Sequence, residues 1–263
     1  MKLLIITGGY PTHKYNLIGI FEFDQAKALV DAGVEVVYAA IDVRSIRRWR
    51  KWGYESFVKE GVQIEAINVP GGRIPRKILN KISEISLRIL YKKIVKKHGE
   101  PDLIHSHFIG SGYITAKCFK NSNIPLIHTE HNSNMNQKVL SDYYKYLGNN
   151  SYNHMDKVIT VGSHLANNIN NNFGIKPLII PNIVDASIFK YDVSSYNKNS
   201  FNFITVGNLL ENKRMDLLIT SFAEAFKNKN NVKLYIYGDG SERKKLEKLI
   251  DNLNMANNIF LMG

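Results

Sequence analysis

The 263 residues carry 35 Lys and Arg against 23 Asp and Glu, a formal charge of +12, with 44% hydrophobic residues. The single cysteine, Cys118, rules out an intrachain disulfide framework. No apolar run approaches the length of a membrane span, and the composition is that of an ordinary globular chain long enough for one large or two modest domains.

Taken in chain order, strand-like and helix-like patterns alternate. Lys2–Thr7 is a short apolar strand, too short for a signal peptide and lacking its cleavage site, so a cytoplasmic protein is expected. Glu22–Ala32 predicts a helix ending near Gly33, and Val34–Ala40 and Val62–Val69 predict strands. Ile74–Lys97 predicts a helix whose Ile78, Ile82, Ile85 and Ile89 fall on one stripe, read as its packing face. Strands follow at Leu103–Phe108, Pro125–Glu130, Val158–Val161 and Leu178–Ile180, with helices at Gly112–Lys120 and Ser163–Asn172. This order implies an α/β fold, a parallel sheet covered on both faces. The polar segment KYDVSSYNKNS reads as a linker. Beyond it the alternation restarts with Phe203–Val206, Met215–Phe226, Val232–Tyr237, Glu242–Leu253 and Asn258–Met262, half of a doubly wound nucleotide-binding domain. Two domains are expected, at 1–190 and 201–263, the second incomplete.

The charge is concentrated. Between Arg44 and Lys97 lie fifteen Lys and Arg and four acidic residues, which points to an anionic partner. Arg44, Arg47, Arg48 and Lys51 are expected on one helical face beside Trp49 and Trp52, a pattern suited either to a solvated face or to an anionic leaflet. No nucleic-acid-binding motif is present, so nucleic acid is not expected as a partner.

The segment PLIHTEHNS delivers His128, Glu130 and His131 from an apolar strand, and LIHSHF places His105 and His107 on one face of another. By position alone these are satisfied polar groups at strand ends. Zinc ligation by the four imidazoles lacks a supporting carboxylate cluster and is not expected. In VGNLLENKRMD, a strand ends at Gly207 and a helix begins near Arg214, so backbone N–H groups and Lys213 could meet an anion there. The bland reading is a loop with a solvated lysine.

VGNLLENKRMDLLITSFAEAF, LYIYGDGSERKKLEKLI and NNIFLMG resemble the opening of the C-terminal domain of family four glycosyltransferases. IIPNIVDASIF, DLIHSHF, PLIHTEHNS and GGYPTHKYNLIGIFEFDQAKALVDAGVEV resemble that family's N-terminal-domain motifs, in order along the chain. The resemblance implies a GT-B fold of two Rossmann-like domains and sugar transfer from a nucleotide-sugar, with retention, to a lipid-linked or polysaccharide acceptor of bacterial surface glycan. It implies that His131 contacts the donor sugar, with His107 and Glu130 as supporting residues. Gly19 would let the backbone approach the donor phosphates, and Lys213 would meet the diphosphate. Gly207, Asn208 and Asp239 would shape the nucleotide pocket.

Asn208 replaces the family's arginine, and Arg214, in place of its glycine, is a candidate to compensate. The family's Glu-x7-Glu segment does not fall within these residues, so the chain alone is expected not to transfer sugar. No cofactor or metal is implied. Arg47, Arg48, Trp49, Lys51 and Trp52 are the candidate membrane or acceptor surface, at the inner face of the plasma membrane. A non-catalytic acceptor- or membrane-binding module, and a GT-B sugar-nucleotide epimerase, stay open as alternatives.

Overall fold

A computed structural model describes residues 1–47, 50–72, 74–186 and 200–263. Its contacts divide the chain into Met1–Val184 and Asp185–Gly263. Residues 190–199 of the expected linker KYDVSSYNKNS lie outside the described residues, as do Arg48, Trp49 and Arg73.

In the first unit, β1 (Lys2–Thr7) lies at the middle of an eight-stranded sheet. On one side it pairs with β2 (Glu35–Ser45), then β4 (Val62–Gly71), then β3 (Gly53–Lys59); on the other come β5 (Leu103–His107), β6 (Leu126–Glu130), β7 (Lys157–Thr160) and β8 (Leu178–Ile179). All pairs are parallel except β3 with β4. The run LLII within β1 is apolar at every position because both of its faces are covered. Leu4 and Ile6 join the cluster with α2 (Arg76–His98) and α3 (Phe108–Phe119), while Leu3 and Ile5 pack with Phe23 and Ala26 of α1 (Ile20–Asp31). Two further helices, α4 (Asp142–Asn149) and α5 (Ser163–Phe173), complete the unit. The edge strand β3 and helix α4 have no counterpart in the sequence reading. Both are short, at 7 and 8 residues, and β3 is antiparallel, outside the repeating unit that the alternation reveals.

Two expectations are corrected here. First, residues 44–52 form no helical face among those described. Arg44 lies in β2, Ile46 and Arg47 form a turn, and Arg50–Trp52 are irregular before β3 begins. Arg44 extends the sheet because β2 pairs with β4 as far as Ser45. Second, the isoleucine stripe of α2 is not its packing face. Ile78, Ile85 and Ile89 are 51%, 47% and 49% exposed and Ile82 is half-buried, whereas Ser86, Leu87, Leu90 and Ile94 are buried. At about 100° per residue the two sets lie roughly a third of a turn apart on the helix. Apolar spacing finds a stripe; it does not say which of two adjacent stripes meets the sheet.

The second unit holds a parallel three-stranded sheet of order β11 (Ile259–Leu261), β10 (Val232–Tyr237), β9 (Phe201–Val206). Helices α6 (Met215–Phe226) and α7 (Arg243–Asn252) cover it through Ile219, Phe222, Leu246 and Ile250, which pack with Leu234 and Ile236.

Replacing Leu90 by Ala is expected to cost about 2–5 kcal/mol of stability, and replacing Ile85 by Ala less than about 1 kcal/mol. Urea midpoints of the two variants check this assignment; equal losses would restore the stripe as core.

Candidate functional site

The sheet order reverses direction at β1, with β2 on one side and β5 on the other. Open α/β sheets bind ligands outside the carboxyl ends of their strands at such a switch point. Three chain segments meet there: the loop after β1, the β5–α3 junction and the end of β6.

The loop after β1 closes on itself. Tyr38 donates from its hydroxyl to the carbonyls of Gly9 (3.0 Å) and Gly19 (3.3 Å). Gly19 has φ +70° and caps α1, and a Cβ there would stand 2.6 Å from the Gly9 carbonyl oxygen. Only glycine meets both demands without strain. The crowding at this position therefore comes from the protein's own backbone.

At the second segment, β5 ends on His107 and α3 starts with Phe108 at φ +62°. A bulky residue in the left-handed region costs on the order of 1–3 kcal/mol, and such strain gathers at functional sites. The turn sets the Phe108 ring 4.9 Å from that of His131 and puts the N-terminus of α3, with its unpaired N–H groups, beside it.

His131 follows β6 directly. Its ring shares a 3.0 Å hydrogen bond, through Nε2, with His107 Nδ1, and stacks near Phe21 at 6.4 Å. Its Nδ1 is buried, and Asn182 approaches it without a well-formed hydrogen bond. Behind it, the fully buried Glu130 accepts four donors. Oε1 takes the backbone N–H of His131 (3.0 Å) and of Asn132 (2.8 Å); Oε2 takes the Tyr152 hydroxyl (2.8 Å) and His128 Nε2 (3.3 Å). Four donors fill a carboxylate. Glu130 therefore shapes the loop that presents His131 and has no lone pair left for a ligand. Because His128 donates from Nε2, its Nδ1 receives the Ser106 hydroxyl at 3.0 Å.

Burial governs the protonation of this cluster. Desolvation, then the neighbouring imidazoles, pushes His105 down to about 3 and His107 well below its usual value. Desolvation brings His131 down to about 4, against the opposing pull of Glu130. At neutral pH these rings are uncharged, so His131 can serve as a hydrogen-bonding group but not as a cation. His105 is occupied by Thr129 at 2.8 Å, and among the described residues no group of three His, Cys, Asp or Glu side chains is set to hold a metal ion.

In the second unit, Gly207, Asn208 and Asp239 come together at the carboxyl ends of β9 and β10. Leu209 N–H donates to the Asp239 carbonyl at 2.9 Å, and Gly207 N–H to that of Tyr237 at 2.9 Å. Gly238, at φ +137°, lies so close to the Gly207 carbonyl that a Cβ would fall 2.1 Å from its oxygen. Asp239 turns its carboxylate onto Gly240 N–H at 2.8 Å, and Asn208 is exposed. Lys213 is exposed on a 3₁₀ turn just before α6. Arg214 takes φ +50° and pairs with Asp216 at 3.0 and 3.1 Å on the exposed surface.

The expected basic surface is dispersed. Arg47 and Lys51 are exposed, but Arg44 and Arg50 turn inward to Asp42 and Lys97 reaches the buried Glu65 at 2.9 Å. The sequence reading missed the cluster of Asp42, Arg44, Arg50 and Tyr10. Its one legible signal was an aspartate closing the apolar run VVYAAID. It also missed Glu22, which is buried in the first turn of α1 and pushed up to about 7 by desolvation.

The comparisons with known proteins agree with this architecture. Residues 21–188 match the model of Glycosyltransferase Family 4 and residues 190–263 that of Glycosyl transferases group 1. An uncharacterised glycosyltransferase of Methanocaldococcus jannaschii, MJ1178, is 32% identical over 178 residues, 65% of this chain and 46% of its own length. The chain spans less than half the length of the curated relatives it matches.

Among solved structures, sucrose-phosphate synthase from Thermosynechococcus elongatus aligns over 100% of this chain and 70% of its own, at TM-score 0.68 and 17% identity. Anabaena HepE, solved in complex with UDP and glucose, aligns over 100% and 69%, at TM-score 0.65 and 19% identity. Fold and neighbours define the class: a GT-B protein of two Rossmann-like domains. The chain belongs to Glycosyltransferase Family 4.

Stability should fall on mild acidification. Below about pH 6.5 an unfolded chain protonates His105, His107 and His131, and the folded one does not. Glu22 acts oppositely, because the folded carboxyl takes its proton near 7 and the unfolded one near 4.5. Three groups outweigh one, each contributing up to about 1.4 kcal/mol per pH unit. The urea midpoint is expected to drop from pH 6.5 to 5, more steeply in Glu22→Gln and less in His105→Gln. A midpoint that rises over this window contradicts the assignment.

Proposed function

We propose that the protein transfers a sugar from a nucleotide-sugar donor to a glycan or lipid-linked acceptor, with retention at the anomeric carbon. The observation that carries this reading is His131. It is an uncharged imidazole at the switch point, held by Glu130 and His107 beside the N-terminus of α3. A neutral ring can bond a sugar hydroxyl without competing for the charge that grows on the leaving diphosphate. In the transition state the sugar gains oxocarbenium character and the diphosphate gains negative charge. Lys213 and the N-terminus of α6 would stabilise the leaving diphosphate, and the strand-end turns at Gly207 and Asp239 would bed the nucleotide. The scheme uses these dipoles and the ammonium where other transferases use a metal.

Each assignment has a kinetic signature. Lys213→Ala is expected to lower kcat about 10²-fold, the scale of removing one stabiliser of a developing anion. His131→Ala should lower kcat at least tenfold with little change in KM. Transfer assays on the natural protein, with the anomer of the product determined, test both. Unchanged kcat in both variants would sink the site, and an inverted product would sink retention. Product formed without acceptor would favour the epimerase alternative.

We further propose peripheral docking on an anionic membrane through α2, in bacterial surface-glycan synthesis at the inner face of the plasma membrane. The supporting observation is the exposed Ile78, Ile85 and Ile89, flanked on the helix by Lys77, Lys81, Lys92 and Lys96. Basic residues near an anionic leaflet contribute roughly 1 kcal/mol each. Among the described residues no helix is long and apolar enough to cross a membrane. Co-sedimentation with phosphatidylglycerol vesicles should exceed that with phosphatidylcholine, and Ile78→Ser/Ile85→Ser/Ile89→Ser should abolish the difference. Equal sedimentation with both lipids refutes docking.

A further inference from the structure

A second constellation of the first unit lies outside the cluster around His131. A cavity of about 480 Å³ opens between the loop after β1 and the start of β3, with Tyr10, Lys14, Arg50, Lys51, Phe57 and Lys59 among its lining. Its volume is within the range of small-molecule sites.

Lys14, Arg50, Lys51 and Lys59 stand in its lining against one carboxylate, Glu55, so its wall is basic. Asp42, at the end of the apolar stretch of β2, is buried. It is met by the Arg44 guanidinium through Nε and Nη2 and by Arg50 through Nη1. Two guanidiniums share one carboxylate. Arg50 is itself only 7% exposed, and its Nε and Nη2 have no hydrogen-bond partner among the described residues; nor has Arg44 Nη1. The Tyr10 ring lies 4.1 Å from the Arg50 guanidinium carbon, a cation–π contact that stabilises the charge without using any N–H.

Glu55, the carboxylate in the cavity lining, is already engaged. It accepts from the Tyr10 hydroxyl and from Asn68 Nδ2, each at 2.6 Å. Burial, and then the bond to Glu55, raise the Tyr10 hydroxyl to about 12, so Tyr10 stays neutral and adds no negative charge. Lys14 and Lys51 stand exposed at the rim, and Lys59 bonds the Pro11 carbonyl at 3.3 Å.

A buried cation with unused donors is costly unless an anion meets it. Nε and Nη2 form the edge of a guanidinium that binds a planar or tetrahedral oxyanion through two parallel hydrogen bonds. We propose that this cavity binds a phosphate group carried on a sugar or polyol, with Arg50 as the buried fork, Lys14 and Lys51 as rim charges, and Tyr10 and Phe57 as an apolar wall. The group would belong to the acceptor. That last identification rests on the transferase reading; the binding itself does not. The phosphate could arrive free on a small molecule or as a lipid headgroup.

Calorimetric titration of the protein at fixed ionic strength with glycerol 3-phosphate, inorganic phosphate and glycerol tests this, together with co-sedimentation on phosphatidylglycerol vesicles. Glycerol 3-phosphate should bind saturably and glycerol should not. Lys14→Ala/Lys51→Ala, both positions exposed, should weaken binding at least tenfold while leaving the thermal midpoint unchanged. Arg50→Lys, which keeps the charge and loses the fork, should weaken it similarly. Lys81→Ala/Lys92→Ala on α2 should leave glycerol 3-phosphate binding unchanged. Vesicle binding that requires Lys14 and Lys51, without binding of the small phosphates, would assign the group to a lipid headgroup. Absence of saturable binding in every arm, or binding indifferent to Lys14 and Lys51, overturns the proposal. If phosphate binds but no sugar is transferred, the pocket stands and the transferase reading fails.

Discussion

The carboxylate of Glu130 is the constraint on which the candidate site depends. It is fully buried, and it is stable there as an acceptor because four donors surround it. Two of those donors are consecutive backbone N–H groups, so the carboxylate fixes the path of the chain as it leaves β6. That path decides where His131 stands. The other two, Tyr152 and His128, tie the same group to the packed interior. Removing the carboxylate would leave several buried donors unsatisfied at once, each costing about 1–3 kcal/mol. The acid in the motif thus acts through His131, which alone faces Phe21, Phe108 and His107.

The same principle, that buried charge must be answered, organises the other end of the sheet. Asp42 and Glu65 both lie on strands of the interior, and each gathers basic residues that the sequence scatters. Glu65 takes Lys97 and His98 from α2 and the hydroxyls of Tyr54 and Ser56 from β3, and so fastens the antiparallel edge strand and the helix together. Around Asp42 the count goes the other way, with two guanidiniums for one carboxylate. A single basic block in the sequence therefore separates into a structural part, a cavity wall and the solvated flank of α2.

Strain is confined to a few junctions. Phe108 and Arg214 both adopt left-handed backbone, and both stand where a strand-end segment gives way to a helix. Gly19 stands at the comparable place before α1 without a penalty. These turns set where helix N-termini open, and helix N-termini are where an anionic group is held at least cost. The geometry of each unit is directed toward the carboxyl edge of its sheet.

Much of this was fixed by sequence alone. Continuous apolar runs such as LLII in β1 mark strands covered on both faces, and their alternation with helical periods makes the sheet parallel; neither depends on distant residues. The motifs around His131 and Lys213 likewise carried the family, because each is local in the chain. Tertiary structure decided what local patterns cannot encode. Which stripe of α2 packs depends on how the helix lies on the sheet, so the isoleucines stayed outside and Leu87, Leu90 and Ile94 went in. Whether an arginine is solvated depends on a carboxylate far from it or on another strand, so Arg50 and Lys97 could not be assigned from spacing. Tyr10, Asp42 and Arg50 meet only because β1 and β2 lie side by side, and no period in the sequence records that pairing.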